Sequence, residues 1–383
     1  MLNIFAFCDG LTSFTIPNSV TSIGAEAFYG CDNLTSITIP EGATSIERSA
    51  FGWCMNLTSV TINSESVFSK IGIEKDPSGP GYIVYPLSEI FGNQVQEYVF
   101  GEGVKRIPDY ACWACSYLTS VTISNSVTSI GKEAFCLCGD LTFITIPNSV
   151  TTIGEEAFIW CSSLTSFTIP NSVTEISDGL FYGCNSLNSF TIPNSVTKIG
   201  QVAFRGCTNL TSITIPNSVT EIRMQAFEDC ISLTSIAIPN SVTEIYDCVF
   251  MDCTSLTSVT IPNSVTNIGL AAFQGCTSLT SVYCNAEKVP TTEYNPFYGV
   301  PVSSATLHVP AESLEVYKTS EPWSKFGNIV ALTDEEMDVK PIDNDESLIN
   351  NVYDLSGRQQ TKLKKGINIV RTSNGTIRKF MIR

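Results

Sequence analysis

The sequence predicts a mainly β fold with short helical or 3-10 turns, wound into a solenoid, closed by a C-terminal cap and followed by a small β-rich tail. Three observations predict it. A 23-residue unit that opens Leu-Thr-Ser and ends at a cysteine recurs down most of the 383 residues. Its phenylalanine keeps phase at Phe5, Phe28, Phe51, Phe135, Phe158, Phe181, Phe204, Phe227, Phe250 and Phe273, with Cys112 in that slot once. Within most units a polar and apolar alternation stops at Pro-Asn-Ser. Self-similarity at such a period marks a solenoid, in which each unit contacts only its neighbours.

Each element of the unit follows from its residues. Counting from the leucine, the apolar side chains of one copy are Leu187, Phe190, Ile192, Val196, Ile199, Ala203, Phe204 and Cys207. Positions 3 to 7 alternate and are rich in β-branched residues, the pattern of a strand with one buried face. Proline, which has no amide hydrogen for a ladder, ends that strand, and Asn-Ser favours a turn. Val-Thr-x-Ile makes a second short extended piece. Gly-x-x-Ala-Phe-x-x-Cys suits a turn of helix or 3-10 with Ala, Phe and Cys inward. One unit cannot bury eight apolar side chains alone, so stability requires stacking.

The regularity fails between Phe51 and Cys112, which are 61 residues apart, 15 more than two units. The extra length makes an irregular long repeat at about residues 63–97, with the turn-rich run from Lys75 to Gly81 and the aromatics Phe68, Tyr82, Tyr85 and Phe91. Insertions of this kind map to one face of a solenoid, often the binding face. An overlong repeat that tucks those rings into the core is the alternative.

After Val282 the pattern stops. Residues 284–332 hold Asn-Pro-Phe-Tyr-Gly-Val300, a strand-like Ala305 to Val309, a helix from Ala311 to Lys318, and Trp323 with Phe326. A solenoid end exposes core and strand edges, so an atypical closing unit is expected there. Residues 333–346 are an acidic linker, and residues 347–383 read as a small β-rich segment with a hairpin about Asn374-Gly375. Met1 to Phe5 has no basic start or apolar run and opens partway through a repeat, which implies a truncated start from which an export signal is missing.

The motifs Leu-Thr-Ser-x-Thr-Ile-Pro-Asn-Ser-Val-Thr-x-Ile-Gly and Ala-Phe-x-x-Cys, over about residues 1–283, resemble leucine-rich repeats, and most closely the BspA-like subfamily of bacterial surface proteins. Residues 284–332 resemble the cap of that subfamily. The last segment, with Tyr353 to Arg358 and Lys365 to Val370, resembles short β-rich tails of exported proteins in the same bacteria, tails linked to secretion or surface attachment. A hairpin docked on the cap is the other reading of it. The resemblance implies a cell-surface or secreted protein that binds other proteins.

Chemistry is scarce in the repeat. Eleven of the 15 cysteines hold one slot: Cys8, Cys31, Cys54, Cys115, Cys138, Cys161, Cys184, Cys207, Cys230, Cys253 and Cys276. In-register side chains point the same way, so a ladder of buried free thiols is expected rather than disulfides. Cys112-x-x-Cys115 looks like a redox or zinc half-site, yet both cysteines fill repeat slots and no second pair stands at ligand spacing. His308 is the only histidine, with no nucleophile motif around it. Phosphate and dinucleotide loops are absent from the sequence. The reading is therefore no enzyme, no cofactor, no metal site and no catalytic residue.

A formal charge of −16 argues against a nucleic-acid partner. Eight of the 21 basic residues lie in the last 26, so the body is more acidic still. Acid pairs such as Glu155-Glu156 and Glu228-Asp229 read as outward, solubilising positions. No run of 18 apolar residues exists to span a bilayer as a helix.

What remains is surface. Outward Ser and Thr form a hydroxyl strip along the sheet, interrupted at Phe143, Ala237 and Tyr283. Positions 19 and 20 vary most and include Trp160 and Arg205. The candidate binding residues are thus Tyr82, Tyr85, Phe143, Trp160, Arg205 and Tyr283. The expected function is an adhesin-like scaffold for extracellular proteins, host matrix or neighbouring cells among them. A glycan-binding module and a passive spacer are the alternatives.

Overall fold

The computed structural model describes residues 4–333 and, beyond them, the strands Ile349–Tyr353, Gln359–Gln360, Gly366–Thr372 and Ile377–Ile382. Three ladders follow the solenoid, each built from one segment of the repeat, and the two strand ladders are divided into separate sheets. On the first, the strands Phe14–Thr15, Ser36–Ile39, Ser59–Ile62, Glu97–Phe100, Ser120–Ile123 and Phe143–Ile144 pair in parallel as a six-stranded sheet. Ser189–Thr191 and Ser212–Thr214 follow, then a five-stranded sheet from Ser235–Ala237 to Asn328–Ala331. Pairing joins equivalent residues of successive units, as in Ile37 with Val60 and Phe190 with Ile213. Hydroxyls at alternate positions face solvent while Ile and Val face in.

In most units the turn after the strand is closed by the Val amide donating to the Pro carbonyl, 3.0 Å from Val196 to Pro193. The second ladder pairs the short Val-Thr-x-Ile pieces, for example Lys198–Ile199 between Glu175–Ile176 and Glu221–Ile222.

The third ladder differs from expectation. The Gly-x-x-Ala-Phe-x-x-Cys segment places Ala, Phe and Cys inward as expected, but its backbone is a succession of turns rather than a turn of helix. Two residues per unit take left-handed conformation, as at Glu156 (φ 57) and Trp160 (φ 58). Alternate amides then point along the axis: Glu133, Phe135 and Leu137 donate to the carbonyls of Glu155, Ala157 and Ile159 at 3.0, 2.9 and 2.9 Å. The amides between them close turns within the unit, so this side bonds coil to coil even where the two strand ladders are interrupted.

The inserted 15 residues sit inside one coil, because Val60 pairs with Tyr98 although 38 residues separate them. The insert splits the aromatics that the sequence grouped together. Phe91, at the end of the helical turn Ser88–Phe91, takes the phenylalanine slot and stacks on Phe51 at 5.3 Å. Phe68 is buried against Phe100. Tyr82 and Tyr85 instead lie on an antiparallel hairpin, Gly72–Lys75 with Tyr82–Tyr85, outside the core.

The repeat also runs further than its sequence pattern. Phe297 continues the ring stack on Phe273 at 5.5 Å, and Val300 fills the cysteine slot. Thr306–Val309 and Asn328–Ala331 extend the sheet, and Ala311–Ser313 with Leu314–Thr319 form the expected short helix. Trp323 and Phe326 stand edge-on to Phe297 at 5.4 and 5.3 Å and close the aromatic column. In the C-terminal segment, Gly366–Thr372 and Ile377–Ile382 pair antiparallel as the expected hairpin, within a four-stranded sheet. Its turn and the acidic linker lie outside the described residues.

Candidate binding surface

Most of the thiols are sealed in the interior. Phenyl rings at the repeat slot stack nearly parallel, Phe204 on Phe227 at 5.4 Å and 3°. Beside them, most of the slot thiols donate to the phenylalanine carbonyl one coil back: Cys161 to Phe135 at 3.1 Å, Cys184 to Phe158 at 3.2 Å and Cys207 to Phe181 at 3.3 Å. That oxygen already accepts the amide of the cysteine in its own coil, so the thiol uses its second lone pair. All 15 cysteines are free, and only Cys8 and Cys248 reach intermediate exposure. Burial pushes the Cys54 and Cys284 thiols up to about 11 and those of Cys136 and Cys276 up to about 12, away from the thiolate that nucleophilic or redox chemistry needs. Of the CxxC pair, Cys112 sits in the ring column and Cys115 in the thiol row, and both are buried.

Three surfaces carry the candidate residues. On the sheet face Phe143 stands 56 % exposed among hydroxyls, beside Ser120. Near the C-terminal end of the same face Tyr283 stacks on His308 at 4.4 Å. At the insert, Tyr82 is 70 % exposed, whereas one face of Tyr85 is covered by the Arg48 guanidinium at 3.3 Å, which also pairs with Glu74 at 2.9 Å. That contact pins the hairpin to the coil beneath it and leaves Tyr82 open to solvent.

On the turn side, Trp160 is exposed and packs on Tyr182 at 5.1 Å, and Arg205 reaches over Tyr182 at 5.5 Å. Arg205 in turn pairs with Glu228 at 3.1 Å and Asp229 at 3.7 Å. Here the acid-pair expectation needs correction. Glu228 is buried, held by Arg205 and by the Gln225 amide at 2.6 Å, and burial raises its carboxyl. The structure thus brings Trp160 near Arg205 and keeps the Tyr82 hairpin, Phe143 and Tyr283 as separate places. Sequence reasoning missed Trp53 and Phe7, exposed at the same repeat position as Trp160.

The profile of the BspA type leucine rich repeat region, six copies long, matches residues 2–73, 89–211 and 197–318. The chain belongs to the BspA-type leucine-rich repeat family. Among solved structures, a leucine rich cell surface protein of Faecalibacterium prausnitzii is 30% identical over 72% of this chain and 79% of its own, with a TM-score of 0.39. A leucine-rich repeat protein of Bacteroides ovatus is 26% identical over 87% of each chain, with a TM-score of 0.48. A leucine rich repeat protein of T. pallidum is 26% identical over 55% of this chain and 88% of its own, with a TM-score of 0.36. No protein of curated function matches the chain.

The BspA-type match skips residues 74–88, which hold the outer half of the hairpin with Tyr82 and Tyr85. The hairpin thus falls between two stretches that match the family's repeat. None of the helices among the described residues is long and apolar enough to cross a membrane.

Proposed function

We propose that this BspA-type protein is a non-enzymatic binding protein, displayed on the cell surface or secreted, that acts as an adhesin-like scaffold for extracellular proteins such as host matrix or components of neighbouring cells. The observation that carries the reading is the exposed Tyr82 on a hairpin pinned by Arg48 and lying outside the family's repeat. An exposed aromatic on a fixed support supplies contact area at little entropic cost. The sealed thiol row supports binding over catalysis, because the strongest nucleophile in the repeat is held protonated and buried. Phe143, Trp160, Arg205 and Tyr283 supply secondary contacts on the sheet and turn sides. The F. prausnitzii relative, described as a cell surface protein, supports the location. In this reading the C-terminal β segment serves secretion or attachment.

The test is the full chain against an immobilised panel of extracellular matrix and bacterial surface proteins, beside a glycan array. Saturable protein binding that Tyr82→Ala weakens and His308→Ala leaves intact is expected. Binding only on the glycan array would make the open Tyr82 ring a sugar platform instead. Silence on both would leave a passive spacer, and turnover of a substrate lost with His308→Ala would overturn the reading.

A further inference from the structure

One coil differs from the rest on the turn side. Both of its left-handed positions are glycine, Gly179 (φ 64) and Gly183 (φ 74), and among the described residues it is the one coil of which this is true. With no side chains there, two neighbours from the preceding coil lie down over the gap. Glu156 Cγ comes within 2.7 Å of where a Gly179 Cβ would stand, and Trp160 Cε3 within 2.5 Å of where a Gly183 Cβ would stand. The Glu156 side chain and the Trp160 indole are thereby laid along the axis, each over one of the two glycines, with Tyr182 beside the indole. Trp160 keeps 42 % of its surface open.

The charge around this pair is incomplete. Lys132 alone faces three carboxylates, Glu155 at 3.5 Å and Glu133 and Glu156 at 3.9 Å each. The other nearby base, Arg205, is committed to Glu228 and Asp229. An exposed indole with surplus negative charge at its side matches a cation carried on an apolar stem: the ring face attracts it and the carboxylate neutralises it. We propose that Trp160 and Glu156 form a docking point for a lysine- or arginine-bearing polypeptide segment of the protein partner. The proposal rests on the protein-binding reading above and names the chemistry of the partner on this face. A basic segment also suits the acidic body as a whole, which speeds its approach at low salt.

The experiment titrates the full chain with a synthetic lysine-glycine peptide and its glutamate-glycine counterpart, following tryptophan fluorescence and calorimetry. The lysine peptide is expected to bind and the glutamate peptide not. Trp160→Ala, which removes no charge, lowers affinity about two- to fivefold with an unchanged melting temperature. Glu156→Gln does the same, while Glu312→Gln, an equal charge loss on the exposed cap helix, has no effect. Gly183→Ala, which keeps the ring but lifts it from its seat, weakens binding as well. Equal affinity for wild type and Trp160→Ala, or equal weakening by Glu312→Gln and Glu156→Gln, overturns the proposal. If protein-panel binding persists in the variants while the lysine peptide fails, the docking point is wrong and the binding reading stands; if panel binding is absent throughout, that reading falls.

Discussion

The Cys161 thiol donates to the Phe135 carbonyl one coil back, and that single relationship, repeated down the chain, explains why the slot is cysteine. Alanine would fit the space but leave a lone pair empty. Valine would crowd it without donating. Cys161→Ala is therefore expected to lower stability by about 1–2 kcal/mol, the sum of a small cavity and a lost weak hydrogen bond. Cys161→Ser keeps a donor but brings a shorter, more strongly hydrated group into the dry row, and should do no better. Urea midpoints of the three proteins check this, and a Cys161→Ala variant as stable as the parent would refute it.

Tyr98 fills the hole left where the ring column is interrupted. It pairs in register with Val60 and Val121, is fully buried, and lies near Cys112, the residue that replaces phenylalanine. Cys112→Phe, which restores the repeat consensus, is thus predicted to destabilise by about 1–3 kcal/mol through overpacking. Adding Tyr98→Val to that variant should recover most of the loss. A double-mutant cycle on melting temperature decides it, since additive effects would show that the two sites do not share one space.

Raised thiols make the fold sensitive to alkali. Cys54 and Cys284 are pushed up to about 11 and Cys136 and Cys276 up to about 12, from an ordinary 9.0. The folded state therefore holds protons that the unfolded chain gives up. This stability is complete below about pH 9 and is lost as pH rises toward 11 and 12, at about 1.4 kcal/mol per thiol per pH unit within that window. Urea midpoints should be flat from pH 6 to about 8.5 and fall steeply above it. A flat profile through pH 11 would contradict the buried row.

How far the sequence foretold this varies by element. The ring column and thiol row were legible because one residue type holds each slot, as at Phe204 and Cys207. The left-handed positions were not, because Glu156, Trp160, Asp229 and Cys248 share a conformation but no chemistry. Phe91 was hidden by the insertion, which breaks the count before it, and Phe297 by a spacing of 24 residues from Phe273 and by Val300 in place of cysteine. Glu228 looked outward because its position varies from unit to unit, and the Arg205 guanidinium arriving from the preceding coil, with the Gln225 amide, makes burial tolerable. At the candidate surface, Tyr82 and Trp160 were visible as departures from the repeat. Their seats on the Arg48-pinned hairpin and over Gly183 depend on contacts between coils that no local pattern encodes.

Thiol titration with an aromatic disulfide reagent tests the sealed, in-register stack most directly. At neutral pH the native chain should release about two equivalents promptly, from Cys8 and Cys248, and reach the full 15 only on unfolding. Prompt reaction of most of the thiols, or a denatured total well short of 15, would contradict it.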